Sequence, residues 1–367
     1  MKYNKEFWHL YSYNIAYSFA IMIGWSVFFP FLIKEGFTFY DLLLYNLIWF
    51  VTPLFLLPFL SSMPTKKFFL ITFLIRLFDP FLIWQFYFPK TQLYLLGIGT
   101  GLYLVFNAVP YAARFFVLSK EKKAELSSVY FLMGPVLGIF LPILSGWIVQ
   151  TYSFRVAVLI ATVLLILPFV FVIKLKEKII KTDLKRSFSY IKGLRTVLFL
   201  EGFWETTVFV LIPIWILFFL KEPLEYGAYV SYVALIGAIA SLIVAKVSDK
   251  IKRRAFVIYP ATIFLAVATF LLGFSSTLAL LSLLIILMAF AQRLAWPFMI
   301  TVYLDRAKDI QKGLFAREFM LNLGRVSSIL VVIGIYYYTG TLLYGFFVLG
   351  TAYLLYPLAL WAKNHYR

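Results

Sequence analysis

Twelve long apolar stretches follow one another along this chain of 367 residues, and each has about the length of a membrane-spanning helix. A helix needs about 20 mostly apolar residues to cross a bilayer. The strands of a membrane β-barrel would instead show about ten residues of alternating polarity. We therefore expect an all-α membrane protein. The stretches cover approximately residues 7–32, 42–60, 68–88, 93–118, 126–148, 156–173, 196–220, 228–245, 255–274, 277–304, 314–338 and 342–361.

Composition indicates that lipid surrounds most of the chain. Hydrophobic residues make up 63% of the sequence and charged residues 14%, whereas a soluble domain usually carries about 25% charged residues. The net charge of +18 lies in short runs between apolar stretches, which is typical of membrane topology and not of a nucleic-acid-binding face. With no cysteine and only His9 and His365, a Cys/His metal cluster is excluded, and we expect no metal and no cofactor.

The distribution of basic residues predicts which helix ends face the cytoplasm. With the N-terminus inside, the inner segments are the termini, the loops after even-numbered stretches and residues 174–195. These segments hold 25 of the 34 basic residues, and the opposite loops hold four. Because short loops rich in Lys and Arg stay in the cytoplasm, we expect an inner (plasma) membrane protein with both termini cytoplasmic.

An internal repeat divides the chain into two pseudo-symmetric halves of six helices. Corresponding helices run in the same direction, which is a parallel repeat about an axis along the membrane normal. We expect six-helix bundles at residues 1–173 and 196–367, joined by a basic cytoplasmic linker at 174–195, where Leu184 and Phe188 among charges suit a surface amphipathic helix. One constant offset aligns Lys34-Glu35 with Lys221-Glu222, Lys66-Lys67 with Arg253-Arg254, and Pro110 with Pro297.

The segment after the eighth stretch carries a recognisable motif. It reads Ala245-Lys-Val-Ser-Asp249-Lys-Ile-Lys252-Arg253-Arg254, and it resembles the G-x-x-x-D-R-x-G-R-R/K signature of the major facilitator superfamily. Asp249, Arg253 and Arg254 match the signature, whereas Ala245 and Lys252 replace its glycines. In the equivalent loop of the first half only the basic pair Lys66-Lys67 is kept, and Ser62 stands where the family has Asp.

Further motifs extend the resemblance to both halves. The fifth helix contains Gly134-Pro135-Val-Leu-Gly138, which looks like part of the family's glycine–proline motif. By resemblance, Asp249 pairs with a helix end or a basic side chain, and that pair holds one conformation closed. The alternative is that residues 250–254 are only loop charge that keeps this side in the cytoplasm. The cytoplasmic gate implied by the resemblance consists of Asp249, Arg253, Arg254, Asp305, Arg306, Arg317, Glu318 and Arg325.

Ionisable side chains at membrane depth are costly and usually face a cavity or a partner. Arg76 and Asp79 are three residues apart on one helix face, so they form either a structural pair or a functional one. Glu205 and Arg293 lie deepest in helices seven and ten, and Arg293 either neutralises Glu205 or binds an anionic group. Helices one, four, seven and ten line the central cavity in the resembled family. The resemblance therefore implies a substrate or coupling cavity with Asn14, Asn107, Glu201, Glu205, Gln292 and Arg293.

Secondary active transport is the expected function: a permease that moves a small solute by alternating access, driven by a proton gradient, another ion gradient or the solute gradient itself. Two alternatives stay open, a non-transporting scaffold or sensor on the same fold and a membrane-embedded lipid-modifying enzyme. The sequence contains no P-loop, nucleophile elbow or DxxD-type cluster, so we expect no enzymatic activity. The expected protein is a monomer that contacts a small-molecule substrate and the lipid bilayer, and no nucleic acid.

Overall fold

A computed structural model describes residues 5–60, 62–84, 87–116, 130, 133–181, 183–248 and 255–362. The described chain is helical apart from one short two-stranded ribbon. Ten of its helical segments are long and apolar enough to cross a membrane, so the predicted number of twelve stays a prediction. These segments are Lys5–Lys34, Phe39–Phe59, Pro89–Phe115, Met133–Thr151, Phe154–Lys174, Arg195–Ile216, Pro223–Ser241, Leu278–Arg306, Ile310–Thr339 and Leu343–Ala362.

Individual helices are shorter than these segments because prolines and local turns interrupt them. The first half contains α1 (Lys5–Trp25), α2 (Phe28–Lys34), α3 (Phe39–Leu56), β1 (Met63–Pro64), α4 (Thr65–Arg76), α5 (Asp79–Trp84), α6 (Pro89–Tyr103), α7 (Val109–Phe115), α8 (Leu141–Thr151), α9 (Phe154–Leu164) and α10 (Ile166–Lys174). The linker and the second half contain β2 (Ile179–Ile180), α11 (Leu184–Tyr190), α12 (Arg195–Thr206), α13 (Ile212–Ile216), α14 (Pro223–Ser248), α15 (Ala255–Leu272), α16 (Leu278–Arg306), α17 (Ile310–Thr339), α18 (Leu343–Tyr353) and α19 (Leu355–Ala362).

Two of the twelve expected spans are not among the ten long segments. The third is divided, because α4 ends at Arg76 and α5 begins at Asp79, directly before Pro80. Proline lacks the N–H that would continue the helical hydrogen bonds across this point. The ninth corresponds to α15, of which the apolar part is Val257–Leu272. Both segments lie where the hydropathy pattern predicts a span, although the third is interrupted and the apolar part of the ninth is shorter than the ten long segments.

Residues 174–195, the expected linker, contact both of the sequence halves predicted above, which we continue to call the first and second half. Strand β2 pairs in antiparallel fashion with β1, and the backbone N–H of Thr65 donates to the Lys178 carbonyl over 2.9 Å. Helix α11 packs on the beginning of α17, where the Ser187 hydroxyl donates to the Lys312 carbonyl over 2.6 Å. The expected linker helix therefore exists, and part of its surface packs on the second half. We call the helix ends on this side the linker face and the opposite ends the far face.

On the far face the two halves are in close contact. Lys34 forms an ion pair with Glu222 over 2.6 Å, and the rings of Phe39 and Phe218 stack with centroids 4.4 Å apart. Small residues also bring α8 and α14 together, because a Cβ added at Gly146 would lie 2.5 Å from the Pro223 carbonyl oxygen. The contact between α8 and α14 is therefore a direct backbone contact between the halves, and we call it the seam.

Candidate functional site

Two glycines bring α12 and α17 together backbone against backbone. A Cβ added at Gly202 would overlap the carbonyl oxygen of Leu321, and one added at Gly324 would overlap that of Phe199. Glycine is required at such a contact because it alone has no Cβ. The close approach places the carboxylates of α12 within reach of the arginines of α17.

Glu205 of α12 forms a buried ion pair with Arg325 of α17. The Arg325 Nε and Nη2 atoms donate to Glu205 Oε2 over 2.8 and 2.5 Å. The Asn322 side-chain oxygen accepts from Arg325 Nη1 over 3.1 Å. The two charged side chains are only 6% and 7% exposed. Because three donors of the guanidinium are engaged, both charges are compensated without water.

A second ion-pair group lies one turn nearer the linker face. Arg317 Nη2 donates to Glu201 Oε1 over 2.8 Å, and Arg317 Nη1 donates to Glu318 Oε1 over 2.6 Å. Glu201 is 2% exposed, and its Oε2 atom has no hydrogen-bond partner among the residues that the structure describes. In their ordinary charge states the two groups together contain three carboxylates and two guanidinium groups. The site therefore has one excess negative charge, which a single proton or monovalent cation would balance.

Aromatic rings connect this charged cluster to the first half. The Arg325 Cζ atom lies 5.2 Å from the centroid of the Phe50 ring and 5.7 Å from that of Phe209. Phe50 belongs to α3 in the first half, whereas Phe209 follows Glu205 in the second. A guanidinium over an aromatic face gains cation–π stabilisation. Any change in the position or charge balance of Arg325 therefore acts directly on the interface between the halves.

Two turns of π-helix lie next to the candidate residues. One covers Thr207–Leu211 and begins two residues after Glu205, and the other covers Leu104–Ala108, which includes Asn107. Each is followed by a proline, Pro213 or Pro110, which cannot donate to the carbonyl four residues before it. The extra residue of a π turn accommodates this break, and such turns are frequent at functional sites.

The candidate polar residues of the first half find partners within that half. Arg76 donates to Asp79 Oδ2 over 3.1 Å and to the Tyr17 hydroxyl over 3.3 Å, so the two charges three residues apart do pair internally. Asn107 accepts a hydrogen bond from the Tyr13 hydroxyl, and its Nδ2 atom has no partner in the described part of the chain. Asn14 lies 3.8 Å from the sulfur of Met133.

Arg293 does not occupy the position that would neutralise Glu205. That carboxylate is held by Arg325, because the glycine contact brings α17 and not α16 against α12. The guanidinium of Arg293 instead lies against α14, where its Nη2 atom would be 3.0 Å from a Cβ added at Gly237. Gln292, beside it on α16, is half-buried. Membership of Asn14, Asn107, Gln292 and Arg293 in one central cavity stays a prediction.

The expected gate residues divide into three groups. Asp249, Arg253 and Arg254 lie outside the described residues. Asp305 and Arg306 are exposed at the end of α16 on the linker face. Arg317, Glu318 and Arg325 lie inside the buried cluster, where Arg317 and Arg325 pair with the carboxylates of α12 and Glu318 pairs with Arg317. In the glycine–proline motif of the fifth helix, a Cβ added at Gly138 would lie 2.9 Å from that of Ala234 on α14, whereas Gly134 is exposed and Pro135 buried.

Sequence reasoning identified the five charged residues of the cluster and missed how they pair between α12 and α17. It also missed Phe50 and Phe209, which are ordinary residues of apolar helices by their sequence. One usable signal was present: Glu201 and Glu205 share one face of α12, as Arg317 and Arg325 approximately do on α17. Two helices with complementary charged faces are expected to pack together when both lie within a membrane.

Comparison with known proteins gives one sequence family and a consistent fold. The sequence model of the Major Facilitator Superfamily matches residues 18–326. No curated protein sequence gives a significant match. The fold is similar to that of the human organic anion transporter MFSD10, with a TM-score of 0.69, 14% identity, and coverage of 97% of this chain and 100% of that one. The E. coli fucose:proton symporter gives a TM-score of 0.69 at 10% identity, with 99% of each chain covered. A bacterial homologue of the iron transporter ferroportin gives 0.70 at 15% identity, with 98% and 99% covered.

Proposed function

Because the chain belongs to the major facilitator superfamily, we propose that it is a secondary active transporter that moves a small solute by alternating access and is coupled to protons. The observation that carries the proposal is the buried cluster of Glu201, Glu205, Arg317, Glu318 and Arg325 at the interface between the halves. A scaffold has no need of an unbalanced charge in this position, since such a charge is costly at membrane depth.

Glu201 is the group we assign to proton binding. One of its carboxylate oxygens is occupied by Arg317 and the other has no partner among the described residues. A proton on that free oxygen would cancel the excess negative charge and weaken the hold of Glu201 on Arg317. Because Arg325 of the same cluster packs on Phe50 of the first half, the charge state of the cluster can bias how the halves are arranged.

Proton coupling is tested in liposomes that contain the purified protein and a pH-sensitive dye. Sugars, organic acids, amino acids, nucleosides and hydrophobic cations are first screened by their effect on thermal unfolding, since a bound ligand raises apparent stability. We expect a solute found in this way to drive proton movement with the wild type. Glu201→Gln should still bind the solute and should lose the proton movement. Proton movement that is unchanged in Glu201→Gln would contradict the assignment.

Alternating access is tested separately by locking the far face. The sequence has no cysteine, so Lys34→Cys with Glu222→Cys gives a unique pair at a position where the side chains are 47% and 50% exposed. A short bis-maleimide should join the halves and abolish uptake, whereas a monofunctional maleimide on the same pair should leave uptake intact. Uptake that continues in fully cross-linked protein would show that the far face does not open during transport.

A further inference from the structure

The arginines within the apolar helices follow a pattern with one exception. Four of them have a carboxylate partner, namely Arg76 with Asp79, Arg114 with Glu6, Arg317 with Glu201, and Arg325 with Glu205. Arg293 is the fifth, and in the part of the chain that the structure describes it forms no ion pair. Its Nε atom is buried and donates to no group there. A single unpaired guanidinium inside a spanning helix is expensive and therefore needs an explanation.

The depth of Arg293 in its helix excludes the simplest explanation, namely that the side chain reaches water at a helix end. Arg293 lies near the middle of the 29-residue helix α16, so it is on the order of 20 Å from either helix end at 1.5 Å per residue. An arginine side chain is too short to reach water over this distance along the helix. Arg114 shows the contrasting case, because it lies on α7 near the linker face and is neutralised by Glu6 of α1.

The guanidinium of Arg293 lies beside the seam between the halves. A Cβ added at Gly237 would be 3.0 Å from its Nη2 atom and 3.2 Å from its Nε atom. Gly237 follows Ala234 by one turn of α14, and Ala234 faces Gly138 of the first half. Glycine at position 237 makes the space that the guanidinium occupies. The charge therefore sits at the edge of the contact between the halves.

Aromatic rings join this position to the charged cluster. Trp296 follows Arg293 by one turn on α16, and its ring lies 6.2 Å from that of Phe209. Phe209 in turn contacts Arg325, with Cζ 5.7 Å from the ring centroid. A solute bound at Arg293 would thus contact the rings of Trp296 and Phe209, which lie between Arg293 and the Glu205–Arg325 pair.

We propose that Arg293 binds the oxyanion group of a small organic solute, and that Trp296 and Phe209 contact the apolar body of that solute. The guanidinium fork suits two oxygens of a carboxylate or phosphate, and the bound anion supplies the partner that the described part of the chain does not. The identification of this anion as the transported solute rests on the proposed function. Binding itself does not, since it can be measured without a membrane.

The test compares oxyanions with neutral analogues on detergent-purified protein. Benzoate and phenyl phosphate are the charged probes, and benzamide and phenol are their neutral controls. We expect at least one charged probe to raise the unfolding temperature of the wild type, and the neutral analogues to have no such effect. Arg293→Gln should bind that probe at least about tenfold more weakly, equivalent to about 1.4 kcal/mol. Arg293→Lys should bind with intermediate affinity, because it keeps the charge and loses the fork.

Two controls keep the result interpretable. Arg155→Gln removes an arginine that is 36% exposed, and we expect it to bind the probe like the wild type. Arg293→Gln without ligand should unfold at the same temperature as the wild type or higher, because it removes a charge that has no ion pair among the described residues. If Arg293→Gln does not fold, the weaker binding expected of Arg293→Lys provides the test instead. The proposal is overturned if neither oxyanion protects the wild type, if benzamide or phenol protects equally, or if Arg293→Gln is protected as well as the wild type.

The outcomes for binding and for transport can be separated. Proton-coupled uptake of a neutral solute, with no oxyanion binding, would leave the proposed function intact and remove the role assigned to Arg293. Oxyanion binding that depends on Arg293, with no uptake of that anion into liposomes, would support the site and favour a sensor over a transporter. Carboxylate and phosphate sources are distinguished by which of benzoate and phenyl phosphate gives the larger shift.

Discussion

Replacing Arg325 with glutamine would leave the carboxylate of Glu205 without its cation. The pair is held by donors at 2.8 and 2.5 Å, and both side chains are at least nine-tenths buried. Removing one member of such a buried pair leaves an uncompensated charge and costs about 3–5 kcal/mol. We therefore expect Arg325→Gln to lower the free energy of unfolding by about this amount, and Glu205→Gln to have a similar effect.

The double variant Glu205→Gln with Arg325→Gln removes both charges and keeps similar side-chain volumes. Neutral replacements of a whole buried pair are often tolerated, so most of the lost stability should return. Unfolding in mixed detergent micelles measures the four corners of this double-mutant cycle, and the coupling energy follows from their differences. Arg293→Gln is the matched control, because the same change at an arginine with no ion pair among the described residues should change the free energy of unfolding by less than about 1 kcal/mol.

Transport by the double variant separates a structural pair from a coupling pair. A pair that only joins α12 to α17 should allow uptake once folding is restored. A pair that participates in coupling should give a folded protein that binds solute and loses pH-dependent accumulation. If both single variants cost less than about 1 kcal/mol, or if the double variant is as unstable as the sum of the singles, the reasoning from the buried ion pair fails.

Three further changes test other contacts. Gly202→Ala should destabilise the protein by about 1–3 kcal/mol, because its Cβ overlaps the backbone of α17; an unchanged unfolding temperature would contradict this close contact. Lys34→Ala with Glu222→Ala should change the free energy of unfolding by less than about 1 kcal/mol, since the pair is half exposed. Burial alone would raise the pKa of Asp309, but N–H groups of the first turn of α17 lower it below the ordinary 3.8. The stabilisation from Asp309 is therefore present above pH 3.8 and lost as the pH falls through the lowered pKa, so unfolding of Asp309→Asn should show a smaller pH dependence in this range.

The membrane class and the family were predictable from the sequence because both depend on local patterns. Apolar runs of spanning length follow from the thickness of the bilayer, and the signature around Asp249 lies in one short segment. The resemblance to the major facilitator superfamily is confirmed by the match over residues 18–326. The predicted number of twelve membrane-spanning helices is not confirmed. Hydropathy records the length of an apolar stretch and not whether the helical backbone continues through a site such as Asp79-Pro80.

The candidate site shows where sequence reasoning stops. Arg76 and Asp79 were predictable as a pair because both lie on one helix, where a spacing of three residues fixes their proximity. The partner of Glu205 depends on which helix packs against α12, and that is decided by Gly202 and Gly324. A glycine in an apolar helix has many uses, so its sequence position alone does not indicate a contact between backbones.

The ion pairs inside the membrane-spanning helices differ between the halves, and under the proposed function this difference favours coupling in the second half. In the first half Arg76 is satisfied by Asp79 and Tyr17, so its ion pair is already complete. In the second half Glu201 keeps a free oxygen and Arg293 keeps a free nitrogen among the described residues. A proton would satisfy the free oxygen of Glu201, and an anion would satisfy the free nitrogen of Arg293. Each would lower the free-energy cost of burying that uncompensated charge. Because both groups belong to the second half, we expect substitutions there to change binding and coupling, and substitutions of Phe50 in the first half to change mainly the rate at which the halves rearrange.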